Sequence, residues 1–473
     1  GTGFMHSPAG RAFFNFFREP VFRSDLSISV GELGSLLDHS GPIGESEKYT
    51  ARVFGADRTY HVTNGSSTSN RVILMASVTR NQVALCDRNC HKSVEHAITL
   101  SGAIPTYLIP TRNRYGIIGP ITSDRLTSDA VRQTIAENPL VGEGIDPTPV
   151  HAIITNSTYD GLCYNVNRVK ELLGQSVDRL HFDEAWYGYA RFNPMYKGRF
   201  AMCCDPKDDD RKGPTMFATQ STHKLLAAFS QASMIHVRDG RNPIDHQRFN
   251  EAFMMHASTS PFYPIIASND ISAAMMDGPG GKALTDVSIR EAVSFRKTVA
   301  RLHAEFTGKK DWFFNIWQPD FVVDRESGQK VPFFEADEEQ LATDPDCWTL
   351  KPNEDWHGFG EVEEGYCMLD PIKVSLVTPG VLTDGSLAES GIPAAVVSAY
   401  LDNKGIVDIF GQDKTALDGA LNRIKAIVAI PEIGETYHGK IRSIVTFGAF
   451  VEIMPGKDAL LHISEIDYKR FET

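Results

Sequence analysis

The sequence predicts an α/β protein built on a mainly parallel central sheet, with a smaller α+β region after it and a partial β module at the end. Three observations carry this. In the first half, short β-type runs alternate with helical stretches, and several runs are apolar throughout, as strands covered on both faces by helices should be. At Asp277-Gly278-Pro279-Gly280-Gly281 a turn breaks that alternation. After Val407 the texture changes again, to dense β-type runs.

In chain order, the first helix singled out is 70–78, behind the Ser/Thr-rich turn Thr63-Asn64-Gly65-Ser66-Ser67-Thr68. Strands are expected at 83–86, 104–109, 150–155, 179–182, 216–219 and 233–237. Polar loops follow several of them, and ligands of open α/β sheets bind at the carboxyl ends of strands. Beyond the turn, Ile289, Ala292, Phe295, Val299, Leu302 and Phe306 share one helical face at spacings of three and four. Residues 1–277 thus form a large α/β domain. Residues 278–406 form a small α+β domain with a long polar insertion at about 324–346. The tail, 407–473, opens with a short amphipathic helix at 415–428, turns at 431–434, and continues in strands at 437–444 and 448–453.

Length and composition bound the function. The 473 residues suffice for more than one domain and a sizeable core, with 42% hydrophobic and 23% charged residues. A net charge of −13 disfavours general nucleic-acid binding and weakly favours encounter with cations. The 7 cysteines are scattered and odd in number, which points to a reducing cytoplasmic compartment. Cys86, Cys90 and His91 lie close together but lack the second ligand pair of a metal site. No apolar run is long enough to span a membrane, and no signal segment opens the chain. It begins at Gly1 in folded-looking sequence, as a piece of something longer would.

Four segments after strands carry chemistry. Lys224, in Ser221-Thr222-His223-Lys224-Leu225, follows the 216–219 strand and can reach a ligand at the strand ends; an amine there forms an imine if burial and nearby positive charge keep it unprotonated. A lysine so placed is also, on its own, an ordinary surface residue. Asp183, in His181-Phe182-Asp183-Glu184-Ala185-Trp186, ends another strand; it suits either a pyridine nitrogen or a helix cap. The 63–68 turn before a helix is either a phosphate cradle or a plain cap. His91 follows the 83–86 strand, as a ring-stacking or a structural histidine.

Residues 1–406 resemble the bacterial ornithine/lysine/arginine decarboxylases, pyridoxal-phosphate (PLP) enzymes of the aspartate-aminotransferase fold. The stretches that carry the likeness are Ser24–Val30, Asp87–Ser93, Ser221–Ser233 and Asp370-Pro371-Ile372-Lys373-Val374. The resemblance implies that Lys224 holds the cofactor covalently, Asp183 pairs with the pyridine nitrogen, and His91 stacks on the ring. It implies that Ser66, Ser67, Thr68, Ser221 and His223 surround the phosphate and that Trp186 lines the pocket. Ser258 would reach the phosphate of a neighbouring subunit, so the expected unit is at least a dimer with shared sites. The implied reaction is decarboxylation of a basic amino acid. The segments 181–187 and 253–258 are read as favouring lysine, then arginine, then ornithine.

Family members carry an N-terminal receiver-like domain and continue beyond the segment corresponding to Tyr400–Val407; neither part is expected here. The tail instead resembles the KH and S1 modules at the end of polynucleotide phosphorylase, through Tyr437-His438-Gly439-Lys440, Phe447–Glu452 and Leu460–Ser464. In an S1 barrel Tyr437, Phe447, Phe450 and His462 would stack on RNA bases. The KH part lacks its Gly-x-x-Gly loop and the S1 part ends before its later strands, so the expectation is a fusion or assembly artefact with weak RNA binding, beside which a PLP-binding but inactive fragment stands as an alternative.

Overall fold

The computed structural model describes residues 5–204, 207, 211–309, 314–377, 439–445, 448–454 and 457–462. They fall into two compact units, one ending at Val377 and one holding the last three strands.

The first unit is organised by a seven-stranded sheet of β1 (Arg58–Val62), β2 (Val83–Asp87), β3 (Ile104–Leu108), β4 (Pro149–Thr155), β6 (Arg179–Asp183), β7 (Thr215–Gln220) and β8 (Ser233–Arg238). A short strand, β5 (Leu162–Tyr164), lies outside it. The order is β1-β8-β7-β6-β4-β2-β3, and β8 alone runs antiparallel to its neighbours. Burial on both faces explains the apolar runs. Leu85, Ile154, Phe182 and Ala218 point into one core, while Ala84, Cys86, Ile153, Phe217 and Ile235 point into the cores on the other side. Four buried histidines interrupt the pattern at His61, His151, His181 and His236; burial drives the imidazoles of all four down, His151 and His236 to about 3, so they sit in the sheet neutral.

All six expected strands are present, and β1 is a seventh that pattern did not mark. Its sequence Arg-Thr-Tyr-His-Val alternates: Tyr60 and Val62 enter a core, whereas Thr59 bonds to His236 at 2.8 Å and His61 to Ser46 at 2.9 Å. As an edge strand it pairs only with β8.

Three further expectations are corrected. The helix expected at 70–78 spans Gly65–Ser77, so Ser66, Ser67 and Thr68 form its first turn rather than a preceding loop. Asn64 stands at its N-cap position without a side-chain capping bond, and Gly65 makes the entry at φ +75°, where a side chain would be strained. The break near residue 277 is confined to Asp277 and Gly278; Pro279-Gly280-Gly281 already belongs to a helix of 30 residues, Pro279–Gly308. Its buried row is Ile289, Val293, Arg296 and Val299, while Phe295 is exposed. The inward arginine is what the apolar pattern could not anticipate. Finally, the polar 324–346 stretch is structured: Lys330–Pro332 pairs with Phe321–Val323, and helix Glu338–Thr343 sends Leu341 into the main core beside Phe333 and Trp348.

Strand Cys367–Leu369 pairs antiparallel with β5, which brings the following Asp370–Lys373 segment to the carboxyl end of the sheet. The second unit is an antiparallel meander of Lys440–Val445, Gly448–Met454 and Lys457–His462. No described helix is long and apolar enough to cross a membrane.

Candidate active site

The carboxyl ends of β1, β2, β6 and β7 converge, and each delivers one of the expected segments. β6 ends in Asp183. Its carboxylate is buried and accepts from Asn70 Nδ2 at 2.9 Å and from the Ala185 N–H at 3.2 Å. Burial raises its pKa, opposed by these hydrogen bonds and by the charges of His91 and Lys224. Asn70 stands on the second turn of the Gly65–Ser77 helix and also donates to Ser93 Oγ at 2.9 Å. Ser93 Oγ in turn contacts His91 Nδ1 at 2.8 Å. One polar chain, Asp183–Asn70–Ser93–His91, thus ties the ends of β6 and β2 to a helix. His91 caps helix Lys92–Ser101 and its side chain is exposed.

Lys224 lies in the single helical turn Thr222–Leu225 that leaves β7. It is half-buried, with Nζ 4.3 Å from the centroid of the Trp186 ring. Burial lowers its pKa, Asp183 works the other way, and Lys373 adds to the lowering. Tyr159 meets the edge of Trp186 at 5.6 Å between centroids.

The remaining expected residues lie nearby. Ser69 Oγ is 2.8 Å from Ser233 Oγ, which donates to the Gln220 carbonyl at 2.8 Å, so the first turn of the Gly65–Ser77 helix adjoins Ser221. Ser66 and Ser67 are half-buried there. Thr68 is buried and already engaged, donating to the Asn64 carbonyl at 3.1 Å and accepting from Arg71 at 2.8 Å. His223 Nδ1 is 2.6 Å from the Ala232 carbonyl. Ser221 Oγ is buried without a hydrogen-bond partner. Ser258 is exposed, accepting only from the Ser260 N–H at 3.1 Å; among the described residues no hydrogen bond joins it to Lys224, Asp183 or His91.

Of the tail residues, Tyr437 and Phe447 lie outside the described residues. The backbones of Phe450 and His462 lie in the meander, Phe450 opposite Ser443 and Leu460, His462 opposite Gly448.

Sequence reasoning missed Asn70, Ser93, Glu184 and Lys373. Asn70 falls within the first two turns of the helix already suspected of binding phosphate. Lys373 sits in a stretch that was noticed but given no task. Glu184, next to Asp183, is buried and accepts from Ala201 N at 2.7 Å, Gln220 Nε2 at 3.1 Å and Asn156 Nδ2 at 3.2 Å; burial lifts it to about 7.

Residues 1–415 match the family model of the Orn/Lys/Arg decarboxylase major domain. The chain belongs to the Orn/Lys/Arg decarboxylase family. The decarboxylase match extends past the expected limit at residue 406, and residues 430–472 match an S1 RNA binding domain. This decarboxylase-family chain is 52% identical over 407 residues to the biodegradative arginine decarboxylase of Escherichia coli, covering 86% of the chain and 54% of that protein. It is 50% identical over 408 residues to lysine decarboxylase LdcA of Pseudomonas aeruginosa, covering 86% and 52%. The solved structure of lysine decarboxylase A from Pseudomonas aeruginosa superposes with a TM-score of 0.78 at 50% identity, over 86% of this chain and 52% of that one. The chain therefore spans about half the length of the curated relatives it matches.

Proposed function

We propose that the chain is a PLP-dependent decarboxylase of a basic amino acid, lysine ahead of arginine and ornithine, releasing the corresponding amine and carbon dioxide. The observation that carries it is the pairing of a half-buried Lys224 with a buried Asp183 at the ends of neighbouring strands, each within the other's field. The residues fit the cofactor. The buried Ser221 hydroxyl has no partner in the protein, as a phosphate ligand would require, and it adjoins the open first turn of a helix. In this reading residues 1–277 bear the cofactor, 278–406 form the small domain, and 407–473 form an appended module.

When bound, PLP supplies an electron sink for the bond broken at the substrate α-carbon. The chain's own residues set the conditions. Asp183 would face the ring nitrogen and keep it protonated, while Asn70 fixes the orientation of its carboxylate. Lys224 would hold the cofactor's aldehyde through its side-chain amine. His91 would lie against the ring, and Trp186, over which Lys224 lies, would wall the pocket. Ser66, Ser67, Thr68, Ser221 and His223 take the phosphate side. Ser258, exposed on its own subunit, serves the site of a second copy. Phe229 and Ile271, exposed apolar side chains of a cleft of about 590 Å³, suit burial in such a dimer.

The test is absorbance of the purified chain with PLP, borohydride reduction, peptide mapping, and product analysis with lysine, arginine and ornithine. Covalent label on Lys224 and release of the lysine-derived diamine are expected. Label on another lysine, or no amine from any of the three, would refute the reading.

A further inference from the structure

The adjacent cysteines Cys203 and Cys204 stand at the end of a pinned turn and have no part in the site above. The Ala201 N–H donates to Glu184 at 2.7 Å, Arg191 donates to the Met202 carbonyl at 3.0 Å, and the Cys203 N–H closes onto the Phe200 carbonyl at 3.1 Å. Both cysteine side chains then turn the same way. Their sulfurs are 3.9 Å apart, and both reach one acceptor, Asn167 Oδ1 on the helix Val166–Leu173, at 3.4 Å from Cys203 and 3.7 Å from Cys204. Both residues are half-buried, and Cys203 lines a cleft of about 490 Å³. Arg191, Lys197 and Lys282 outnumber Asp277 around that cleft, which favours the approach of an anion. The remaining cysteines are placed differently: Cys86, Cys163, Cys347 and Cys367 are buried, and Cys90 is half-buried with its thiol pushed up to about 12 by burial.

We propose that Cys203 and Cys204 form a redox-sensitive modification site, a vicinal dithiol that a small anionic disulfide converts to a Cys203–Cys204 disulfide. The order of steps follows from the surroundings. The Cys203 thiol is pushed well up, first by its hydrogen bond with Cys204 and then by burial, so it keeps its proton. Cys204 is left as the attacking sulfur. Its thiolate attacks one sulfur of the incoming disulfide, forming a mixed disulfide and expelling one small thiolate. Cys203 then gives up its proton and attacks the Cys204 sulfur, which breaks the mixed disulfide and expels the second thiolate. The two cysteine protons end on the two released thiols; the protein pair loses an electron pair and the small disulfide gains it. Closure shortens the sulfur separation from 3.9 Å to about 2.05 Å. Neighbouring Cα atoms are only about 3.8 Å apart, below the ~4.4–6.8 Å usual for a disulfide, so the bond is strained and easily reduced again. The pair therefore acts as a reversible sensor and not as a staple.

The experiment treats the full chain with glutathione disulfide at pH 8, blocks the remaining thiols with iodoacetamide in urea, and maps the cysteine peptides by mass spectrometry before and after dithiothreitol. The peptide holding Cys203 and Cys204 should become lighter by two hydrogens, escape alkylation and regain both thiols on reduction, while Cys86, Cys163, Cys347 and Cys367 stay fully alkylated. In Cys203→Ser the reaction should stop at a glutathione adduct on Cys204; in Cys204→Ser modification should slow roughly tenfold or more. A wild-type peptide that stays alkylated at both positions, keeps glutathione without closing, or joins another cysteine overturns the proposal, and wild type decides this without either variant. Modification of Cys204→Ser at the wild-type rate overturns the assignment of Cys204 as the attacking sulfur. None of these readouts involves PLP, so failure here is distinct from a failure of Lys224 to take borohydride label.

Discussion

A buried carboxylate keeps its charge only where donors and cations replace water, and Asp183 has Asn70, the Ala185 N–H, His91 and Lys224 for that purpose. Replacing it by Asn preserves shape and removes the charge, so decarboxylation should fall by roughly 100-fold or more while some PLP still binds. Steady-state rates and a cofactor titration check this; near-normal turnover would refute the assigned role. Its neighbour Glu184 behaves differently. Its folded-state pKa of about 7 lies above the ordinary carboxyl range, so the folded chain holds this proton more tightly than the unfolded one. The stabilising contribution is complete below the unfolded-state pKa and is lost as pH rises towards 7. Denaturation of wild type and Glu184→Gln at pH 5 and pH 8 should show the wild type's relative stability falling with pH; a difference independent of pH would sink this. At this scale the sequence was most legible in placement: Asp183 ends β6, and Ser221 and Lys224 follow β7, where the pattern of apolar strands and polar loops put them. Asn70 and Ser93 act by orienting others, and nothing in their local pattern separates an orienting amide from an ordinary helix residue.

Among the elements, the Pro279–Gly308 helix depends on a residue that hydrophobic periodicity would place outside. Arg296 is fully buried, donating to the carbonyls of Pro371, Asp370 and Lys373 and lying 5.2 Å from the Trp348 ring. It satisfies a segment that has no strand partner of its own at these carbonyls. Truncation to Ala should leave three buried carbonyls short of donors and a cavity, at a cost of about 3–5 kcal/mol. Urea denaturation measures it, and a loss under about 1 kcal/mol would show that the segment is held by other means. The sheet was legible because strands buried on both faces are apolar runs. The edge strand β1 was not, because two of its five residues spend their polarity on Ser46 and His236. The early start of the Gly65–Ser77 helix was hidden for a related reason: serines and threonines fit a loop, a cap and a first turn equally well.

For the molecule as a whole, the reading of Ser258 requires two copies. Mixing Lys224→Ala chains with chains carrying Ser258→Asp should restore part of the activity, because some hybrid sites contain both intact residues; no recovery in verified heterodimers would count against shared sites. The tail makes a separate prediction. Residues 408–473 carry ten acidic against eight basic side chains, so the phosphate-neutralising surface that single-strand binding needs is weak. Titration with short single-stranded RNA at physiological salt should show no micromolar affinity. Binding that is tight and lost in Phe447→Ala with Phe450→Ala would reverse this view. The antiparallel β8 has one more consequence, and it concerns time. β1 is made first but pairs only with β8, whose register partners for Arg58–Val62 are Val237–Ser233. The N–H of Gly65 likewise finds its acceptor at Gln231. On the ribosome, then, the strand and the turn that lead into the phosphate side must wait until some 170 later residues have emerged, and such long-range pairing is slow to form. Nascent chains stalled with Ser233 still inside the exit tunnel should be cut by protease near residues 58–65, and chains stalled well beyond Arg238 should resist; equal resistance in both would mean that β1 is sheltered by something other than its native partner.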